Sequence, residues 1–328
     1  MTRYQFDNSC PLCISQHYTM VASRSYDDIF ADLKDIWGAA LTRDVIARHA
    51  PVEKTQLVKC VDCGLQYFIP KIAGDSDFYS QLSEAPSYYN HGKWEFEEVR
   101  RLLLPHYALL DIACGEGHFL KSVQSELSRA EGVDTNPNAI ERGRSAGLNV
   151  SLTDIDAYAA DHIEQYDIVC AFQVVEHLPE VMPFARAAMS CVKKGGILIV
   201  SVPNRERATQ DGLWDPLDCP PHHISRWNSA QFAVLARLLG VSLRIEKQIL
   251  NQRDTGTLLR SAVDGFLRTH MKLLGKNIRT KAGGAAVRIL LSQPVYRLYE
   301  TVGLLRYLGL WGHAMYAIMQ KPTREGIA

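Results

Sequence analysis

A chain of 328 residues is long enough for one large α/β domain with a smaller appendage and a substantial buried core. Lys+Arg and Asp+Glu both number 36, while hydrophobic and charged residues make up 47% and 22%. That composition excludes a disordered chain and supplies no overall field for a nucleic acid, which is therefore not an expected partner. Residues 1–30 carry Arg3, Asp7, Arg24, Asp27 and Asp28 with no continuous apolar core, so neither a signal peptide nor an anchor is expected there. The late uncharged run Tyr307 to Gln320 is too short and too broken by Gly309, Gly312 and His313 to span a bilayer, and a cytoplasmic protein is expected.

Along the chain, four of the eight cysteines form two C-x-x-C pairs, Cys10 with Cys13 and Cys60 with Cys63, while Cys114, Cys170, Cys191 and Cys219 are scattered. Two such knuckles deliver four thiolates in tetrahedral geometry, the closed arrangement of one structural Zn2+. In a cytosolic chain metal ligation is expected over disulfides, with free thiols or a redox pair as the alternative. The 46 residues between the knuckles exceed a compact zinc ribbon, and Asp27 to His49 fills that gap with a helical pattern. GLQYFIP then reads as a short strand closed by Pro70. Tyr88, Tyr89, His91 and Trp94 precede a helix, EFEEVRRLLL, and would either close over a cofactor or only pack that helix.

From Tyr107 the pattern becomes short apolar runs separated by amphipathic helices, the signature of βαβ units and a parallel sheet. ALLDIA, EGVD, NVSL, YDIVCAF and GILIVSV read as five strands, with VSLRIEKQI and HAMYAIMQ as two late ones. Asn136 and Pro137 start a helix that Gly147 follows; Gly195 and Gly196 are expected to end MPFARAAMSCVKK; Asn228 or Ser229 caps AQFAVLARLL, which Gly240 stops. The expected boundaries are a zinc module over 1–75, a catalytic core over 76–250, a helical basic insertion over 251–312, and a last strand with its tail over 313–328.

Asp111-Ile-Ala113-Cys114-Gly115-Glu-Gly117 follows a strand and opens a helix, where the two glycines allow a tight turn and close approach to a ligand. Asp134 ends the next strand, where its carboxylate can accept hydrogen bonds from both hydroxyls of a ribose, and Asp154 ends the third near the position of a base. A nicotinamide dinucleotide is the nearest rival, but its fingerprint wants a third glycine where Leu120 stands, and no P-loop lysine follows.

The ordered segments DIACGEG, GVDTNP, LTDIDAY, YDIVCAFQVVEHLPE and KKGGILIVSVPN resemble the motifs of class I S-adenosylmethionine-dependent methyltransferases, especially the ubiquinone-biosynthesis-like group, over roughly residues 107–250. The resemblance implies an α/β fold: a Rossmann-like seven-stranded methyltransferase sheet, here with an N-terminal zinc module and a helical insertion between the last two strands. It implies that Gly115 and Gly117 pass under the methionine part of S-adenosyl-L-methionine, that Asp134 holds the ribose, that Asp154 with the Ile155 backbone reads adenine, and that Phe172 lines the methionine side. Ala113 stands where the family most often has glycine. The segments CPLC and CVDCGLQYF are similar to a zinc-binding module that precedes several bacterial methyltransferases, some of which act on sugars.

Between Arg253 and Arg306 lie ten Lys and Arg residues against Asp254, Asp264 and Glu300, interleaved with leucines. This reads either as a helical cap with a solvated basic face, or as basic amphipathic helices for a phosphorylated substrate or an anionic lipid surface, which would make the protein peripheral at the inner membrane face. The expected function is methyl transfer to a small-molecule acceptor, an oxygen or carbon centre on a sugar or glycan precursor. The rivals are a quinone or lipid-like acceptor and a non-catalytic RNA- or protein-binding regulator. A hydroxyl acceptor must lose a proton, and three histidines sit on the carboxyl-end rim: His177 in VVEHLP and the pair His222 and His223 in CPPHHISRW. His223, supported by His222 and Arg226, is the expected base, against a purely structural part for all three.

Overall fold

The computed structural model describes residues 7–85, 93–207, 215–250, 303, 307–308 and 311–323. In chain order the elements are β1 (Tyr18–Ser25), α1 (Tyr26–Trp37), α2 (Arg43–His49), β2 (Lys54–Cys60), β3 (Gln66–Ile69), α3 (Ser76–Leu82), α4 (Trp94–Arg100), β4 (Ala108–Ile112), α5 (His118–Val123), β5 (Arg129–Asp134), α6 (Pro137–Ser145), β6 (Val150–Leu152), α7 (Ile155–Ala159), β7 (Tyr166–Phe172), α8 (Val181–Cys191), β8 (Val192–Pro203), β9 (Ser225–Arg226), α9 (Ser229–Leu239), β10 (Ser242–Ile249) and β11 (Trp311–Gln320). The chain divides into two compact units. One comprises 1–203, 212–246 and 315–328; the other comprises 204–211 and 247–314.

The large sheet has the strand order β10-β11-β8-β7-β4-β5-β6. Its centre is parallel, pairing β4 with β5 and β7, β5 with β6, and β7 with β8. Strand β11 runs antiparallel to β8, since Gly195 N donates to Lys321 O and Lys321 N to Gly196 O. These strands read as apolar runs because both faces are covered: every residue of β4 is buried, as are Ile168 to Phe172 of β7. Helix starts follow the capping logic. Asn136 Oδ1 accepts from the Asn138 and Ala139 amides with Pro137 in the first turn, and Asn228 forms a reciprocal capping box with Gln231 before Gly240 ends α9 in the left-handed region. One boundary differs from expectation. Helix α8 stops at Cys191, and Lys193 to Gly196 already belong to β8, where Gly195 adopts φ +79°.

The N-terminal segment contains more sheet than its sequence suggests. Strands β1, β2, β3 and β9 form a four-stranded sheet, and the expected helical stretch between the knuckles is two helices separated by Gly38 at φ +72°. Part of this segment builds a core of its own, in which Tyr26, Ile29, Leu33, Val45, Leu57, Phe68 and Phe78 are buried together with Cys219, and part of it joins the core of the large sheet. Cys10, Leu12, Val58, Cys60, Leu65 and Tyr67 lie in one buried cluster with Val169, Val200, Trp227 and Phe232 of the large-sheet region. Burial of each such large apolar side chain contributes about 1.5–3 kcal/mol, so the two sheets stabilise each other. Most of the expected basic insertion, and Tyr88, Tyr89 and His91, lie outside the described residues. Among the described residues no helix is long and apolar enough to cross a membrane.

Candidate functional site

Because β4, β5, β7 and β8 are parallel and in register, their carboxyl ends share one rim: Asp111 pairs with Gly132 and Cys170, Asp134 with Leu152, and Phe172 with Ser201. After β4 the chain turns sharply, with Ala113, Gly115 and Gly117 all at positive φ (+54°, +56° and +78°). A side chain on Gly117 would meet Leu148 Cδ1 at 2.3 Å, whereas one on Gly115 would meet nothing within 4 Å, so the loop backbone is packed from behind and open in front. Asp134 fixes this loop: one carboxylate oxygen accepts from Gly115 N at 2.8 Å and the other from Asn136 N at 2.8 Å. Two oxygens carry about four acceptor positions, so both keep capacity for ribose hydroxyls. An open glycine backbone beside an anchored carboxylate fits a nucleoside with an amino-acid tail.

The other expected cofactor residues are placed differently from one another. Asp111 is 3% exposed, and burial, reinforced by the Asp134 charge and opposed by Lys93, pushes its carboxyl up to about 8. Cys114 turns its sulfur back against the sheet, where a Cβ on Gly132 would lie 2.7 Å from it, so only its backbone faces the ligand side. Asp154 caps α7 by accepting from Ala157 N at 2.8 Å, beside the buried Ile155. Phe172 is buried in an edge-to-face group with Phe96 and Phe119, centroids 4.9 Å apart in each pair.

The three histidines come together although 45 residues separate His177 from His222. One donor atom from each lies within 4.8 Å of the others, and their ring centroids are 4.3 to 4.9 Å apart. Each ring is held by its Nδ1: His177 on the His222 carbonyl at 2.5 Å, His222 on the Leu217 carbonyl at 2.7 Å, and His223 on Asp218 Oδ1 at 3.1 Å. Carbonyl and carboxylate oxygens only accept, so each Nδ1 donates its proton, and the His177 ring also reaches the Gln173 backbone. Burial lowers His177 and His222 to about 3 and His223 to about 4, which keeps all three neutral at physiological pH. Arg226 supports this loop, donating twice to the Asp218 carbonyl and lying over the Phe68 ring.

Several groups of this site carry little sequence signal. Glu176 is 1% exposed, its carboxylate oxygens have no hydrogen-bond partner among the described residues, and burial raises it to about 8. Gln173 adopts φ +59° and donates to Glu95 Oε1 and Ser201 Oγ. Tyr79 of α3 reaches His177 Nδ1 at 2.9 Å and donates to the His222 carbonyl at 3.2 Å. Strand β3 pairs Gln66 with Arg226 and Tyr67 with Ser225, so the residues following His223 complete the N-terminal sheet. The position of Glu176 beside His177 in VVEH was the one available hint.

The cysteine knuckles also converge. Cys10 and Cys63 sulfurs lie 3.5 Å apart, as do those of Cys13 and Cys60, and all four fall within 4.8 Å. Four thiolates about 2.3 Å from one ion would stand ~3.8 Å apart, so the set fits tetrahedral zinc. A hydrogen bond from Cys63 favours the Cys10 thiolate, while burial raises Cys13. Gln231 donates to the Cys63 carbonyl at 3.1 Å and Val181 N to the Pro11 carbonyl at 2.9 Å, so both knuckles are tied to helices of the large-sheet region.

A family model described as a methyltransferase domain matches residues 87–244. The ubiquinone biosynthesis O-methyltransferases of Klebsiella pneumoniae and Citrobacter koseri are each 29% identical over 103 residues, covering 30% of this chain and 43% of theirs. The chain thus matches less than half the length of these curated relatives. Among solved structures, a SAM-dependent methyltransferase from Archaeoglobus fulgidus aligns over 74% of this chain and 99% of its own, at 20% identity and a TM-score of 0.47. The Haemonchus contortus phosphoethanolamine N-methyltransferase 2 in complex with S-adenosyl-L-methionine aligns over 93% and 68%, at 13% identity and a TM-score of 0.48.

Proposed function

We propose that this chain, which carries a class I S-adenosylmethionine-dependent methyltransferase domain, methylates an oxygen on a small hydroxylated acceptor, with the histidine cluster as the place where that hydroxyl gives up its proton. The observation that carries the reading is the shared rim: the anchored glycine turn at the ends of β4 and β5, and three neutral imidazoles in the loops after β7 and β8. When bound, S-adenosyl-L-methionine supplies a methyl group on a sulfonium, already a good leaving group. The protein's part is then alignment, together with proton removal worth roughly 10² to 10⁴ in rate. Asp134 and the loop from Ala113 to Gly117 would hold the nucleoside, and Asp111 would sit near its positive charges. Asp218 orients His223 as a carboxylate orients a catalytic imidazole, which makes Nε2 of His223 the favoured proton acceptor.

The acceptor class follows from the resemblance of the cysteine module: a sugar or glycan precursor, phosphorylated where the basic stretch 253–306 meets it. A quinone is the second reading, favoured by the names of the relatives at 29% identity; with such a lipid-like acceptor, the basic stretch would contact the membrane surface. One Zn2+ in the four thiolates would hold the N-terminal sheet and the histidine loop together. The test is transfer of labelled methyl from the cofactor to a panel of nucleotide sugars and, separately, hydroxylated quinones. Label in the first panel supports the proposal, label only in the second selects the quinone, and label in neither, with the cofactor bound, removes both acceptor classes.

A further inference from the structure

From Ile168 to Glu176 every residue is buried except Gln173, and Gln173 stands in the left-handed region at φ +59°. A non-glycine residue held there carries strain that the surrounding structure must enforce. Backbone and side chain are both tied down. Gln173 N donates to the Ser201 carbonyl at 3.0 Å and to Ser201 Oγ at 3.2 Å, while Nε2 donates to Glu95 Oε1 at 3.0 Å and to Ser201 Oγ at 3.3 Å. Ser201 Oγ donates in turn to Glu95 Oε1 at 3.3 Å, and both Ser201 and Glu95 are buried. A carboxylate oxygen only accepts, so Glu95 fixes which way the Gln173 amide turns: Nε2 faces the buried side and Oε1 faces away from it. No donor among the described residues reaches that oxygen.

The position lies between the two parts of the rim. Gln173 directly follows β7, whose Phe172 pairs with Ser201 of β8 and whose Cys170 pairs with Asp111 of β4, and the His177 ring reaches the Gln173 backbone. We propose that Gln173 is a specificity-determining residue of the acceptor site: its Oε1 accepts a hydrogen bond from a second hydroxyl, on the ring carbon next to the one whose oxygen is methylated, and Glu95 is the positioning residue that turns Oε1 toward the acceptor.

The proposal rests on the methyl-transfer reading and deepens it, naming the acceptor as a sugar with two neighbouring hydroxyls. A hydroxyl has one hydrogen to give. The reacting one passes its hydrogen to His223 as its oxygen takes the methyl group and the methyl–sulfur bond breaks, so it has none left for Gln173. The neighbouring hydroxyl keeps its own O–H bond and donates to Oε1, which fixes the ring and selects which oxygen meets the methyl group. A site built to pair a hydroxyl rejects the analogue that lacks it, because the site's own polar atom is then left unpaired.

The test measures binding of UDP-glucose, GDP-mannose and dTDP-glucose to the full chain loaded with S-adenosylhomocysteine, which cannot transfer a methyl group. Whichever sugar binds is measured again as analogues that each lack one ring hydroxyl. One analogue should bind about tenfold more weakly than its parent. Gln173→Met should weaken the parent sugar by the same factor and that analogue no further, with cofactor affinity unchanged. Glu95→Leu, which leaves the amide free to turn, should lose the discrimination, and Glu95→Gln, whose own amide oxygen can still accept, should keep it. Equal binding of all analogues by the parent chain overturns the proposal even if a variant fails to fold, as does binding of none of the three sugars. Losses that add in Gln173→Met, or weaker cofactor binding there, overturn it as well, the latter assigning Oε1 to the cofactor's ammonium. Methyl transfer to a sugar with additive losses would sink the part given to Gln173 and leave the function standing; coupled losses without transfer would do the reverse.

Discussion

Asp111 offers the sharpest test of the cofactor site, because its burial makes proton uptake part of folding and proton release part of binding. With a carboxyl raised to about 8, it is about nine-tenths protonated at pH 7 in the cofactor-free protein. A carboxyl whose folded pKa lies above its unfolded value contributes stability fully below the unfolded value, near 4, and loses it as pH rises through about 8. Across that window this one group lowers stability by ~1.4 kcal/mol per pH unit. S-adenosyl-L-methionine carries an ammonium and a sulfonium, and either charge near Asp111 favours the carboxylate, so binding at pH 7 should release close to one proton and affinity should rise from pH 6 to 8. Calorimetry in two buffers of different ionisation heat reads that proton directly. Asp111→Asn should abolish the release and flatten both the affinity and the thermal-stability profiles relative to the parent chain. Equal proton release by parent and variant would refute the placement of Asp111 beside the cofactor.

Three further outcomes follow from the same geometry. Asp134→Ala removes the acceptor that holds Gly115 and Asn136 and leaves ribose hydroxyls unpaired; cofactor affinity should fall by about 1–3 kcal/mol, and unchanged affinity by calorimetry would dismiss the assignment. Cys60→Ser should lower the zinc content by one ion and the thermal midpoint of the whole chain, since ligation energy is folding energy there and the knuckles share their buried cluster with the large sheet; full zinc content would sink the four-thiolate assignment. His223→Ala should slow single-turnover methylation at least tenfold at saturating cofactor with cofactor affinity unchanged, and normal turnover would take His223 out of the chemistry.

What the sequence disclosed and what it hid divide along the range of the interactions. The motif turns were readable because their causes are local: apolar runs make buried strands, Asn136 with Pro137 starts a helix, and glycine at 115 and 117 frees a left-handed turn. Ala113 reads in sequence as a small departure from glycine, yet the chain holds it at φ +54°, a strained choice that only the surrounding turn enforces. Strand β1 was missed because none of it is buried, half of it is exposed and it shows no apolar alternation, and the early start of β8 because Lys193 to Gly196 resemble a helix terminus. The least local feature is the one with most bearing on function. Two residues, Ser225 and Arg226, leave the histidine loop to pair with β3, the strand that follows the knuckle of Cys60 and Cys63; Phe68 N donates to Ile224 O, and Gly74 N to Pro221 O. The cysteine module is thereby the wall against which His222 and His223 are set, with Tyr79 completing it from α3. A cysteine cluster that looks like a detachable appendage in sequence is, in the folded chain, the support of the rim where the acceptor's proton is proposed to leave.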